Sequence, residues 1–190
     1  MEITTMKIKE KLPCLLAAFL LGVCACASAG GKDGLTDEER DMLALINDAR
    51  AQEHYCGDEY MPAVPPLHWN AKLARSAQNH AADMAEKHYF SHNGLDGKTP
   101  AERVKAAGYT GWGGWENIFV GYRGESDAAL AMETWMNSPG HCKNLMNPEI
   151  TEVGMASALS HARDNPNYWV QNFGMDLQTF RREKPGYILP

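Results

Sequence analysis

The sequence predicts an α+β domain in which about four helices cover a small antiparallel sheet. Three observations carry this reading. Four segments show helical apolar spacing behind capping residues; two β-rich runs lie near the C-terminal end, with an Asn165-Pro166 loop between them; and the chain is 44% hydrophobic and 22% charged, an ordinary globular balance. Its 190 residues suffice for one domain with a real core.

Thr36 and Glu39 form a capping box. Leu43, Ile46, Ala49 and Arg50 follow at helical spacing, with Met42 and Leu45 widening the apolar face, so a first helix runs to about Glu53. Pro62, Pro65 and Pro66 make an extended connector. Asn70 caps a second helix whose Leu73, Ala77, Ala81 and Met84 share one stripe, ending near Tyr89. A polar loop over residues 91–98 leads to a third helix. There Thr99 caps, Pro100 takes the first helical position, Glu102 completes a second box and Gly108 ends the element. Residues 111–118 read as a glycine- and aromatic-rich loop entering a short strand. Ser126 opens a fourth helix carrying Ala128, Leu130, Ala131 and Trp135, and Ser138-Pro139-Gly140 stops it. Strands over residues 153–159 and 168–175 close the domain, and the tail lies along the surface. The helices must cover the apolar faces of this sheet. Trp69, Trp115, Trp135 and Trp169 read as core anchors with indole N–H groups tied to backbone, and Asn117 and Asn144 as amide bridges between loops.

The N-terminus carries an address. Lys7, Lys9 and Lys11 precede an apolar run over residues 15–27, with no further charge before Lys32. That run is short of the ~20 residues that span a bilayer, and it reads as an export leader. The chain divides into a leader (residues 1–29), a short tether (30–37), the domain (38–176) and a tail (177–190). Two maturation routes stand open. Ala27-Ser28-Ala29 is an A-x-A cleavage site that frees the protein near Gly30; Val23-Cys24-Ala25-Cys26 resembles a lipobox, which makes Cys26 the lipidated residue and that lipid the sole membrane contact. The destination is accordingly secreted, periplasmic or lipid-anchored. The net charge of −6 offers no cationic excess for counterion release, so nucleic acid is excluded as an expected partner; a monomer is expected.

Of five cysteines, Cys14, Cys24 and Cys26 lie in or beside the leader, leaving Cys56 and Cys142 in the domain. An even pair in an exported chain is most simply a disulfide; two free buried thiols are the alternative. A Cys142 nucleophile beside His141 ranks lower, because an oxidising compartment pairs the thiol. Seven histidines need sorting. His54, His68 and His161 sit at connector edges or in a polar loop, and His80 and His88 on or at the end of the second helix; all five read as structural or solvent-facing. No Glu follows His88, so there is no zincin motif. His92, Glu116 and His141 each sit in or beside a Gly-, Ser- or Pro-containing loop, where scaffolds usually build sites. Two imidazoles and a carboxylate form the donor set of an open site for Zn²⁺ or another divalent cation.

Leu67-His68-Trp69-Asn70, Ser91-His92 with Asp96-Gly97, Trp115-Glu116-Asn117-Ile118 and Ser138-Pro139-Gly140-His141, in this order, resemble successive signatures of the CAP superfamily (cysteine-rich secretory proteins, antigen 5 and pathogenesis-related proteins; the SCP domain). Asn144-Leu145-Met146-Asn147 and the run from Tyr168 to Gly174 are similar to its bacterial branch. The resemblance spans about residues 38–176 and implies a three-layer α–β–α sandwich with a central cleft lined by two His and two Glu, where some members bind a divalent metal such as zinc. By motif, His92 and His141 match the two His, and Glu116 matches one Glu. The fourth member departs: eukaryotic relatives carry Glu three residues after the fourth-helix Trp, where this chain has Ser138, and Glu133 lies on another side of that helix. A Cys56–Cys142 bridge also matches part of the bacterial branch.

Three functions follow as expectations. The first is an extracytoplasmic binding module for a peptide, glycan or lipid, with a His/Glu-lined cleft open to a divalent cation. The second is a metal-assisted, peptidase-like hydrolase in which His92 and His141 hold the cation and Glu116 acts as general base. The third is a serine hydrolase using Ser91 or Ser138; neither lies in a G-x-S-x-G elbow, and it ranks last.

Overall fold

Local capping chemistry decides where the helices begin. The computed structural model describes residues 35–122, 127–183 and 185–186; the leader, Cys26, most of the tether and Ser126 lie outside the described residues. Helix α1 (Asp37–Arg50) starts on a closed capping box: Glu39 N donates to Thr36 Oγ1 (3.2 Å) and Thr36 N to Glu39 Oε2 (2.9 Å). Its last residue, Arg50, is fully buried and donates to the carbonyls of Pro65, Leu145 and Asn147, fastening the helix to two distant loops. Burial lowers the Arg50 pKa to about 10. Helix α2 (Ala71–Lys87) begins at Asn70, whose Oδ1 accepts from Lys72 N (2.9 Å) while its Nδ2 donates to Glu152 Oε1 (2.8 Å). Helix α3 (Pro100–Ala106) repeats the capping box with Thr99 and Glu102.

Five elements are additions to the expected plan. A hairpin, β1 (His54–Cys56) with β2 (Glu59–Met61), occupies the start of the proline-rich connector, turning at Gly57 with φ of +69°. Strand β3 (His68–Trp69) pairs in parallel with a later strand. The Pro139-Gly140 pair does not end helix α4 (Ala128–Met136), which Asp127 caps; it opens a fifth helix, α5 (Pro139–Leu145). Proline at a first helical position has no donor to lose, so it starts a helix as readily as it breaks one. The tail carries α6 (Leu177–Glu183).

Strand β4 (Trp112–Gly121) takes in all but Gly111 of the glycine–aromatic segment read as a loop entering a short strand. A bulge between Gly113 and Trp115, with Gly114 at φ +135°, accommodates α3, since a Cβ on Gly114 would lie 3.0 Å from Ala101 Cβ. With β5 (Glu152–Leu159) and β6 (Asn167–Met175), the four-stranded sheet has the order β3-β5-β6-β4. All neighbours but β3 and β5 run antiparallel.

Side-chain alternation builds three layers. Val153, Met155, Trp169 and Phe173 face Met42 and Ile46 of α1 and Met132 and Trp135 of α4. Ile118, Ala156, Tyr168 and Val170 face Ala77, Ala81 and Met84 of α2. The expected α–β–α sandwich is therefore present, with α1, α4 and α5 on one face and α2 and α3 on the other. Trp135 Nε1 donates to Ile118 O (3.0 Å) as expected, whereas Trp69 Nε1 and Trp169 Nε1 are buried without a partner amid an apolar layer. Cys56 and Cys142 are bonded, stapling the hairpin to α5.

Candidate functional site

The loop after α2 is aimed by its ends. His88 adopts the left-handed conformation (φ 57°), so the helix stops and the chain turns. His80, 1% exposed on α2, lies with Nε2 at 2.9 Å from Ser91 O and holds the loop from below. Burial lowers its pKa, which favours the neutral ring. His80 is structural, as its helical setting implied.

Glu116 is the centre of the arrangement. His92 Nδ1 stands 2.9 Å from Glu116 Oε1, and Arg103 Nη2 donates to Glu116 Oε2 at 2.6 Å. Asn172, the cross-strand neighbour of Glu116, reaches the same Oε2 at 3.1 Å and Ala77 N at 3.0 Å; with its amide turned so that nitrogen faces the carboxylate, it donates to the first and accepts from the second. Arg103 Nη1 donates to His92 O (2.7 Å) and Lys98 O (2.9 Å), gripping the loop by its backbone as well. The Glu116 side chain is 1% exposed, against 12% for Arg103 and 49% for His92. Both carboxylate oxygens are engaged, and a buried anion needs such partners. With Nδ1 committed to Glu116, the His92 ring offers Nε2 to anything outside.

His141 arrives from the opposite layer, as the third residue of α5. Asn117 Nδ2 donates to His141 O (3.2 Å) and to Gln171 Oε1 (3.1 Å); Asn144 Nδ2 donates to Asn117 Oδ1 (2.9 Å) and Glu116 O (3.3 Å). Asn117 and Asn144 thus bridge segments through their amides. Because side chains alternate along a strand, the successive residues Glu116 and Asn117 of the edge strand β4 face opposite layers and hold the two imidazole-bearing segments from either side. The pKa of His141 is lowered, first by burial and then by the His92 charge, and its Nδ1 is buried without a hydrogen-bond partner.

The structure therefore brings His92 and Glu116 into direct contact and sets His141 within electrostatic reach of His92. Among the described residues, no three His, Cys, Asp or Glu side chains are gathered to hold a metal ion. Glu116 serves as the hydrogen-bond partner of His92, with both of its oxygens engaged inside the protein. The hydroxyls of Ser91 and Ser138 make no hydrogen bond to an imidazole; Ser91 Oγ accepts from Asn93 N. Sequence reasoning passed over Arg103 and Asn172. Arg103 did leave a signal: no acidic residue stands three or four positions away on its own helix, so its partner had to come from elsewhere.

The family model described as CAP, the cysteine-rich secretory protein family, matches residues 43–173. The chain belongs to this family. The CAP domain here is 32% identical over 135 residues to the uncharacterized protein YkwD of Bacillus subtilis (strain 168), covering 71% of this chain and 46% of that protein. It is 29% identical over 138 residues to the uncharacterized membrane protein YlbC of the same organism, covering 73% and 34%. The chain thus spans less than half the length of these curated relatives. Among solved structures, it is similar to an extracellular SCP-domain protein of Bacillus anthracis (TM-score 0.55, 24% identity, 73% of this chain and 40% of that one). It is also similar to an outer surface protein of Borrelia burgdorferi (TM-score 0.50, 19% identity, 72% and 88%). At these identities the structural likeness establishes the CAP fold. Among the described residues, no helix is long and apolar enough to cross a membrane.

Proposed function

We propose that this chain is an exported CAP-domain binding module whose cleft presents His92 and His141 to a divalent cation, zinc first, with Glu116 orienting His92. One observation carries the reading. The Glu116 carboxylate is covered and engaged by His92, Arg103 and Asn172, so the imidazoles are the groups left to bind. A metal-assisted hydrolase needs a carboxylate free to take a proton from water, and this one is committed. Export is supported by the leader pattern, by the Cys56–Cys142 bridge and by the extracellular character of the Bacillus anthracis neighbour. When bound, a divalent cation supplies a Lewis-acidic anchor for a further ligand in the cleft.

Calorimetric titration of EDTA-stripped protein with zinc tests this. Micromolar binding that disappears in a His92→Ala/His141→Ala double variant supports the site, and no binding by the wild type refutes it. Turnover of a peptide library that is lost in Glu116→Gln would replace the module by the hydrolase.

A further inference from the structure

A second cleft lies on the other side of Arg103, between α2, α3 and the loop carrying His92. Its volume is about 360 Å³, within the range of small-molecule sites. Its floor is the polar side of α2: Arg75, Asn79, Asp83 and Lys87 recur every four residues in one row, with Ser76 and His80 in the row beside it. The rim is electrically closed for the most part. Lys87 pairs with Asp83 at 2.5 Å, Lys98 pairs with Asp96, and Arg103 is held by Glu116.

Three floor residues are unspent. Among the described residues, the Arg75 guanidinium has no acidic partner, and neither the Asn79 amide nor the Ser76 hydroxyl makes a side-chain hydrogen bond. Ser76 is the informative one. It is 2% exposed as a residue, lines the cleft and has no hydrogen-bond partner within the protein. A nearly covered hydroxyl on the cleft wall can take a partner from inside the cleft. One net positive charge, one amide and one buried hydroxyl on a single wall, with no aromatic platform, match a ligand bearing one anionic group on a hydroxyl-rich body.

We propose that the α2–α3 cleft is a binding site for a small hydroxyl-rich anion, its carboxylate or phosphate on Arg75 and its hydroxyls on Ser76 and Asn79. This site is separate from the His92/His141 cleft and does not depend on a metal there.

Titration of the full chain with glucuronate, glucose 6-phosphate, inorganic phosphate and glucose tests the proposal, and the first two distinguish the carboxylate from the phosphate source. Saturable binding of either sugar anion is expected, at least tenfold tighter than glucose or inorganic phosphate. It should weaken tenfold or more in Arg75→Glu and severalfold in Ser76→Ala, yet persist in Arg163→Glu, a charge reversal on an exposed distant loop. Persistence in His141→Ala separates this site from the imidazole cleft; loss there would assign the anion to that cleft and overturn the proposal. Failure of both sugar anions to bind, binding indifferent to Arg75→Glu, or equal affinity for glucose would also overturn it. Thermal melts of each variant distinguish lost binding from lost fold.

Discussion

Arg103 and Glu116 form a nearly buried ion pair, with Nη2 at 2.6 Å from Oε2, and the second terminal nitrogen of the same guanidinium holds the backbone of His92. One side chain therefore fixes the carboxylate that orients an imidazole and the loop that carries it. Arginine suits this task because its planar fork serves two acceptors at once.

Removing one partner of this pair should be costly. Arg103→Met leaves the Glu116 carboxylate charged and covered, and is expected to destabilise the domain by about 3–5 kcal/mol. The double variant Arg103→Met/Glu116→Gln should recover much of that loss, because the uncompensated charge is gone. Urea unfolding of the four proteins in the cycle measures both terms, and an undiminished loss in the double variant contradicts the account.

His141 is expected to titrate below the ordinary 6.5 of a histidine, because burial and the His92 charge both disfavour its protonated form. The sign follows from proton linkage: the unfolded chain takes up this proton at higher pH than the folded one. Stability from His141 is complete above about pH 6.5, declines as pH falls below it, and levels off beneath the folded-state value. The buried His80 acts in the same direction. Proton NMR of the ring hydrogens reads the shift directly, and His141→Asn should flatten part of the acid-side slope in stability.

The bridge between Cys56 and Cys142 closes a separation of 86 residues. Replacing both by serine should cost about 2–5 kcal/mol, chiefly by freeing the unfolded chain. The hairpin β1–β2 should loosen first, since the bond joins it to α5 and Cys56 packs with Cys142 and Met146 in a small cluster of their own. Hydrogen exchange across residues 54–61 compared with the central strands tests this order.

Gly154 carries the closest approach of sheet and helix. A Cβ there would lie 2.0 Å from the Ala74 backbone nitrogen, so α2 can rest on β5 only because that carbon is missing. Gly154→Ala should displace the helix and cost at least 1–3 kcal/mol, roughly the range for overpacking. A melting temperature unchanged from wild type would contradict this contact.

What was legible in the sequence was what neighbours in the chain decide. The Thr36–Glu39 and Thr99–Glu102 boxes and the Asn70 cap are closed within three residues, and all three helices begin where those residues place them. The two-residue strand β3 was invisible, because its existence depends on Glu152 and Val153 more than eighty residues later. Helix α5 was hidden by a Pro-Gly pair whose usual meaning is termination. At the site, His92, Glu116 and His141 were marked by their loop settings, and the structure joins the first two. Arg103 and Asn172 acquire their meaning only when α3 and β6 pack beside β4, a tertiary event with no local trace beyond an unpaired arginine.

The strand latest in the chain, β6, occupies an inner place in the sheet, between β5 and β4. During synthesis β4 has no partner, and β5 only the two-residue β3, until residues 167–175 have emerged, so most of the sheet's pairing waits for that one strand. The helices can form as they appear, but they wait for a surface to settle on. The domain stays open until that strand arrives and then closes through contacts of long sequence separation, the kind that slow folding.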